Sequence, residues 1–218
     1  MKKLLSLLVI FTLLIGAMPT VFAEDVILIS PNPNSAPVFA DIEKDDWAYE
    51  AIEALSKDGI ISGADGLIRP NDPITRAELS KMIVLIKDCE IASDAEFESP
   101  DKYAIAKWAL PYIATALREG IIKGFENGCV GADETVTRAQ IATVAVRAMK
   151  ATSENTGVSF ADVASDSWYA KDVECAKVIG IVSGYEDGTF RPDNTVTRKE
   201  AFAIVYRAKA FLDLLQNS

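Results

Sequence analysis

Three Thr-Arg pairs open apolar helical stripes in this chain, at Thr75-Arg76, Thr137-Arg138 and Thr197-Arg198. Glu78 and Glu200 stand three residues after their threonines, the spacing of a capping box, and Gln140 can close the same box with an amide. Ordinary helices use this cap, which favours a structural role for the threonines and the acids. The arginines need another reason, because a cation in the first helical turn opposes the macrodipole. Either each pairs with a neighbouring acid, or guanidinium and exposed N–H groups together grip one carboxylate. The residues alone leave these two readings balanced.

Other side chains invite chemistry less strongly. Trp47, Trp108 and Trp168 each stand at the start of a helical pattern. Core packing is their simplest reading, and stacking of an exposed edge on a sugar ring is the alternative. Asp41 and Asp162 suit N-terminal turn caps and acceptors for hydroxyl groups equally. The chain has no histidine, so Ser-His and Cys-His nucleophiles and His-based zinc sites are excluded. Cys89, Cys129 and Cys175 are odd in number and lack CxxC spacing, so no disulfide framework is expected, although two could pair in an exported chain. Cys175, inside an apolar helical pattern, reads as a buried thiol. The acidic glycine loops lack the spacing of a calcium loop and read as solvated turns. No catalytic residue, metal or cofactor is expected.

Composition narrows the partners. The formal charge is −10, and two units more acidic without Lys2 and Lys3. A nucleic-acid partner, which needs a basic footprint, is excluded, and an anionic ligand would have to be caught locally. Residues 1–23 read as a signal peptide. Lys2 and Lys3 precede an apolar stretch too short to span a bilayer, and Val21-Phe22-Ala23 offers a cleavage site. The product is expected to be exported, starting at Glu24, with no membrane insertion after cleavage. Residues 24–37, with Pro31, Pro33 and Pro37, read as an extended leader.

The elements that must position these side chains recur three times. The tryptophans are 61 and 60 residues apart, and the Thr-Arg pairs 62 and 60. Gly59, Gly120 and Gly180 each follow a tryptophan by twelve residues, ahead of an apolar pair and a second glycine at Gly63, Gly124 or Gly184. Each repeat predicts two helices joined by a turn-rich loop, with the first glycine as a left-handed helix stop. The last helix is expected to run almost to the C-terminus. Repeats span 38–91, 97–151 and 158–218, with linkers at 91–98 and 153–157. Two short helices cannot bury a self-sufficient core. The expected fold is therefore one all-α domain, three helix-loop-helix units closed with pseudo-threefold symmetry and grooves between neighbours.

Phe39-Ala40-Asp41-Ile42, Trp47, Gly59-Ile60-Ile61-Ser62-Gly63 and Ile74-Thr75-Arg76-Ala77-Glu78 together resemble the S-layer homology (SLH) domain. Repeat three is more fully similar: Phe160-Ala161-Asp162-Val163, Trp168, Gly184 through Pro192, and Val196-Thr197-Arg198-Lys199-Glu200. The resemblance implies a non-covalent anchor on the cell-wall surface. Its partner would be an anionic, peptidoglycan-linked secondary wall polysaccharide, typically bound through a pyruvate-ketal sugar in grooves between repeats. The residues it implicates are Asp41, Trp47, Gly63, Arg76, Glu78, Trp108, Arg138, Asp162, Trp168, Gly184, Arg198 and Glu200. A structural surface-layer component, or an adaptor docking surface-layer proteins, is the alternative, and an enzyme is not expected. Repeat two departs from the pattern, with Gln140 for Glu, Gly131-Ala132 for Arg-Pro, and Phe97 too far from Trp108 to align an aspartate. Arg76 and Arg198 are therefore expected to bind more strongly than Arg138.

Overall fold

The computed structural model describes residues 39–93, 97–153 and 160–217. The signal peptide and leader assigned to residues 1–37 lie outside them, as do 94–96 in the first linker and 154–159, which take in most of the second linker and the first two residues of repeat three. Among the described residues there are six α-helices and no strand: α1 (Tyr49–Lys57), α2 (Arg76–Ile86), α3 (Leu110–Arg118), α4 (Arg138–Met149), α5 (Ala170–Val178) and α6 (Arg198–Gln216). The all-α expectation holds, and α6 runs as far as its apolar stripe suggests.

Local chemistry explains the helix limits. All three second helices begin with a complete capping box, Thr75/Glu78, Thr137/Gln140 and Thr197/Glu200, each stabilising its helix start by about 1 kcal/mol. Pro111 falls at the start of α3, where its missing N–H costs nothing. Gly59, Gly120 and Gly180 take positive φ directly after the first helices, and the next N–H of each folds back onto the helix (Ile60 to Leu55, Ile121 to Ala116, Ile181 to Ala176).

The packing of these helices crosses the repeat boundaries. The principal helix pairs are α2 with α3, α4 with α5, and α6 with α1, and the second helices α2, α4 and α6 meet around the centre. Each pair joins one repeat to the next, and the last pair closes the ring. At the centre the Ile74 N–H donates to Val196 O (3.1 Å), the Val196 N–H to Val136 O (2.9 Å), and the Val136 N–H to Ile74 O (3.1 Å). All three residues are buried. This cycle satisfies backbone groups that would otherwise be desolvated without a partner, and no repeat can complete it alone.

Candidate functional site

The arginines of the Thr-Arg pairs reach out of their own repeats. Arg76 donates from Nε to Val130 O and from Nη2 to Lys123 O, both at 3.0 Å, with its Cζ 4.7 Å from the centre of the Phe125 ring. It is 7% exposed. Burial pushes its pKa down, opposed by the charges of Glu134 and Asp101, and a guanidinium remains charged there. Arg138 repeats the arrangement on repeat three, donating to Phe190 O (2.8 Å) and Ser183 O (3.1 Å) and lying over Tyr185 and Phe190. Arg198 donates from Nε to Ile68 O of repeat one at 2.8 Å, and its Nη1 pairs with Glu78 Oε1.

The helix N-termini are not open. The first two N–H groups of α2 donate to Glu134 O and Ala132 O, those of α4 to Asn194 O and Pro192 O, and those of α6 to Asp72 O and Pro70 O. The third is taken by the threonine cap. The expected joint grip by guanidinium and free N–H groups therefore has no free N–H groups to use. The first-turn arginines are explained by the neighbouring loop: its carbonyls sit opposite the helix start and accept both the backbone and the guanidinium.

Asp41 accepts the N–H groups of Ile68 (2.8 Å) and Arg69 (2.7 Å), and Asp162 those of Phe190 and Arg191 (both 2.7 Å). Each carboxylate spends both oxygens clamping its own loop, rather than capping a helix turn. Repeat two was expected to lack this element, and here the structure corrects the sequence reading. Asp101 accepts the N–H groups of Val130 (3.0 Å) and Gly131 (2.7 Å) in the same way. Gly131 also adopts the positive φ (66°) held by Arg69 (53°) and Arg191 (58°) at the equivalent places. The Gly-Ala substitution thus keeps the backbone while avoiding the cost of a left-handed arginine. Gly63 and Gly184 serve close approach: a Cβ would lie 2.6 Å from the Phe39 ring at the first and 2.3 Å from the Phe160 ring at the second.

Core packing is not where the tryptophans go. Trp47, Trp108 and Trp168 are 58%, 50% and 62% exposed, while the smaller residues that follow them, Ala48, Ala109 and Tyr169, turn towards the core. A large aromatic left half in water at each repeat boundary is available for stacking. The three cysteines are free, and Cys175 is buried as its helical position suggests, its thiol pushed up by burial and by Asp172 and Glu174.

One groove brings several of these groups together. A cavity of about 530 Å³ lies between α2, the start of α3 and the start of α6, lined among others by Ser62, Glu78, Lys81, Trp108, Tyr112 and Arg198. Lys81 Nζ stands 6.0 Å from the Trp108 ring centre and 5.9 Å from that of Tyr112. Among the described residues Lys81 makes no ion pair. By contrast Lys199, over Trp47 at 5.6 Å, is paired with Asp46 at 3.0 Å. The sequence reading missed Lys81 and Tyr112. Lys81 is three residues beyond Glu78, on the same helix face, but Thr143 and Ala203 occupy its position in the other repeats. Recurrence among the repeats therefore does not mark it.

The comparisons with known proteins agree with this architecture. The family model described as S-layer homology domain matches residues 38–80, 100–142 and 159–202. The chain is 35% identical over 176 residues to "Exoglucanase XynX" of Acetivibrio thermocellus, covering 77% of this chain and 16% of that protein. It is 29% identical over 178 residues to "S-layer protein sap" of Bacillus anthracis (80% and 21%). To "Cell surface glycoprotein 1" of Acetivibrio thermocellus it is 31% identical over 156 residues (66% and 7%). The chain spans about a fifth or less of the length of these relatives. Three matched repeats, each carrying its capping box and its clamping aspartate, place this chain in the S-layer homology domain family.

Proposed function

We propose that the chain is a non-covalent cell-wall anchoring module that binds an acidic, peptidoglycan-linked wall polysaccharide, through a sugar bearing a carboxylate such as a pyruvate ketal. The observation that carries this reading is the groove beside α2. There a half-exposed Trp108 offers a face for a sugar ring, and Lys81 and Arg198 put two cations on the same cavity of an acidic chain. Stacking supplies contact area, and charge-assisted bonds select an anion. Relatives named as surface-layer and cell-surface proteins are what such an anchor would be fused to, and those named as enzymes match over a small share of their length. The groove binds without turning over its ligand.

Co-sedimentation with purified wall sacculi, before and after mild acid stripping of the polymer, tests the proposal. Binding that disappears on stripping, without release of sugar from intact sacculi, is the expected result. Binding that survives stripping would point to peptidoglycan or a protein partner instead.

A further inference from the structure

Arg198 differs from its two counterparts in what its guanidinium holds. Arg76 and Arg138 place Nε and Nη2 on two backbone carbonyls of the next repeat. Those bonds are part of the interface between repeats and cannot be given to a ligand without opening it. Arg198 keeps one such carbonyl, Ile68 O, and turns Nη1 to the Glu78 carboxylate inside the groove. A bond to a side-chain carboxylate can be exchanged for a bond to another carboxylate with the backbone in place.

Glu78 divides its two oxygens. Oε2 accepts from Thr75 N (3.0 Å) and Thr75 Oγ1 (3.2 Å) in the capping box, which leaves Oε1 for Arg198. The capping box holds the acid in place whether or not Arg198 is paired with it. An incoming carboxylate therefore meets a guanidinium already neutralised, and an acid that stays in the groove after its bond to Arg198 is exchanged. Lys81, one turn along the same helix and free of ion pairs among the described residues, brings the second positive charge that this crowding requires.

We propose that Glu78 is the specificity determinant of this groove: its Oε1 fills the anion position, and a ligand binds by displacing it from Arg198. A carboxylated sugar replaces the bond it breaks. A neutral sugar can only leave the pair intact and stack on Trp108, or separate the two charges without replacing either. The inference rests on the wall-polysaccharide reading and assigns the selectivity of that same site.

The chain itself supplies the test variant. Gln140 occupies the position of Glu78 in repeat two and forms a complete capping box with its amide, so Glu78→Gln is expected to fold normally. Calorimetric titration with wall-polymer fragments, and with the same fragments after reduction of their carboxyl groups to alcohols, reads the effect. Glu78→Gln should bind the carboxylated fragments roughly five- to tenfold more tightly than wild type and show no such gain on the reduced ones. The affinity lost on Lys81→Met should also shrink in the Glu78→Gln background, because the lysine then offsets one acid fewer. Unchanged or weaker binding by Glu78→Gln, or a Lys81 loss of equal size in both backgrounds, overturns the proposal. The cycle stays decisive even if Glu78→Gln lowers the melting temperature. Wild-type protein that binds no fragment overturns the wall-polysaccharide reading and this one with it, whereas wild-type binding without the gain overturns only this one.

Discussion

Arg76 in repeat one lies against the Phe125 ring in repeat two, guanidinium carbon 4.7 Å from ring centre, while its nitrogens hold two carbonyls of the same loop. A residue that reads as a ligand contact in its own repeat is thus a fastener for the next one. The three arginines occupy equivalent positions, yet Arg198 alone turns its guanidinium to a carboxylate in the groove beside α2. We therefore expect Arg198 rather than Arg76 to meet the ligand, whereas the sequence alone ranks the two together as binding residues.

Arg76→Ala should therefore act on stability. It strips the buried Val130 carbonyl and the part-buried Lys123 carbonyl of charge-assisted partners and removes a stacked cation, a loss of about 2–3 kcal/mol. For a domain of this size that lowers the melting temperature by roughly 4–12 °C. Thermal unfolding followed by circular dichroism measures it. A normal melting temperature together with lost polymer binding would return Arg76 to the ligand.

The grooves should be unequal in the same way. Trp108→Ala is expected to weaken binding to wall-polymer fragments roughly fivefold or more, about 1 kcal/mol, with little effect on folding because half of the side chain already faces water. Trp47→Ala and Trp168→Ala should cost less, since neither ring shares its groove with a counterpart of Lys81. Equal losses in the three variants, read by calorimetric titration, would contradict the assignment of binding to one groove.

Acid should loosen the loops before it touches the core. Partial burial alone would raise the pKa of Asp101, but bonds from the Ser99 hydroxyl and the Val130 and Gly131 N–H groups outweigh it and hold the carboxyl low. Asp46 is lowered likewise, by the Ala48 N–H and Lys199 acting against burial. Asp187 is pulled down to about 2, chiefly by the Thr189 hydroxyl and N–H, and by Arg191. Folded values below unfolded ones mean that the charged forms favour the fold. Their contribution is complete above the ordinary carboxylate range near pH 4 and is lost as the pH falls through the folded values towards about 2. The melting temperature should be flat above about pH 5 and fall below about pH 4. In Asp101→Asn that fall should be shallower, from a lower starting point. A melting temperature that rose on acidification would contradict the clamp assignment.

A fragment carrying residues 38–91 should be largely unfolded. Its α1 packs on α6 and its α2 on α3, and the Ile74 N–H and C=O have their partners in the other two repeats. Separated from them the fragment keeps local turns but little core. A sharp, cooperative thermal transition in this fragment would show that the ring is dispensable.

The features legible in the sequence are short-range. Capping boxes, glycine stops and apolar stripes act within a few residues, so their spacing predicts the helices wherever the rest of the chain goes, and repetition at about 60 residues predicts three copies and the need for them to close on one another. Tertiary structure decided the partners. Asp101 was illegible as a clamp because its distances from Phe97 and Trp108 both differ from those in the other repeats, and only the position of the Val130 and Gly131 N–H groups shows that it does the same work. Spacing places the tryptophans at the start of the first helices, but whether that position faces a neighbour or water depends on how the helix is rolled against another repeat. Lys81 became visible only with Trp108, Tyr112 and Arg198 around it, because repeats reveal what they share, and the other two carry Thr143 and Ala203 at its position. The fold is carried by the recurring residues, which symmetry obliges to do equivalent jobs, and the chemistry of the groove comes from contacts across repeats that no single repeat encodes.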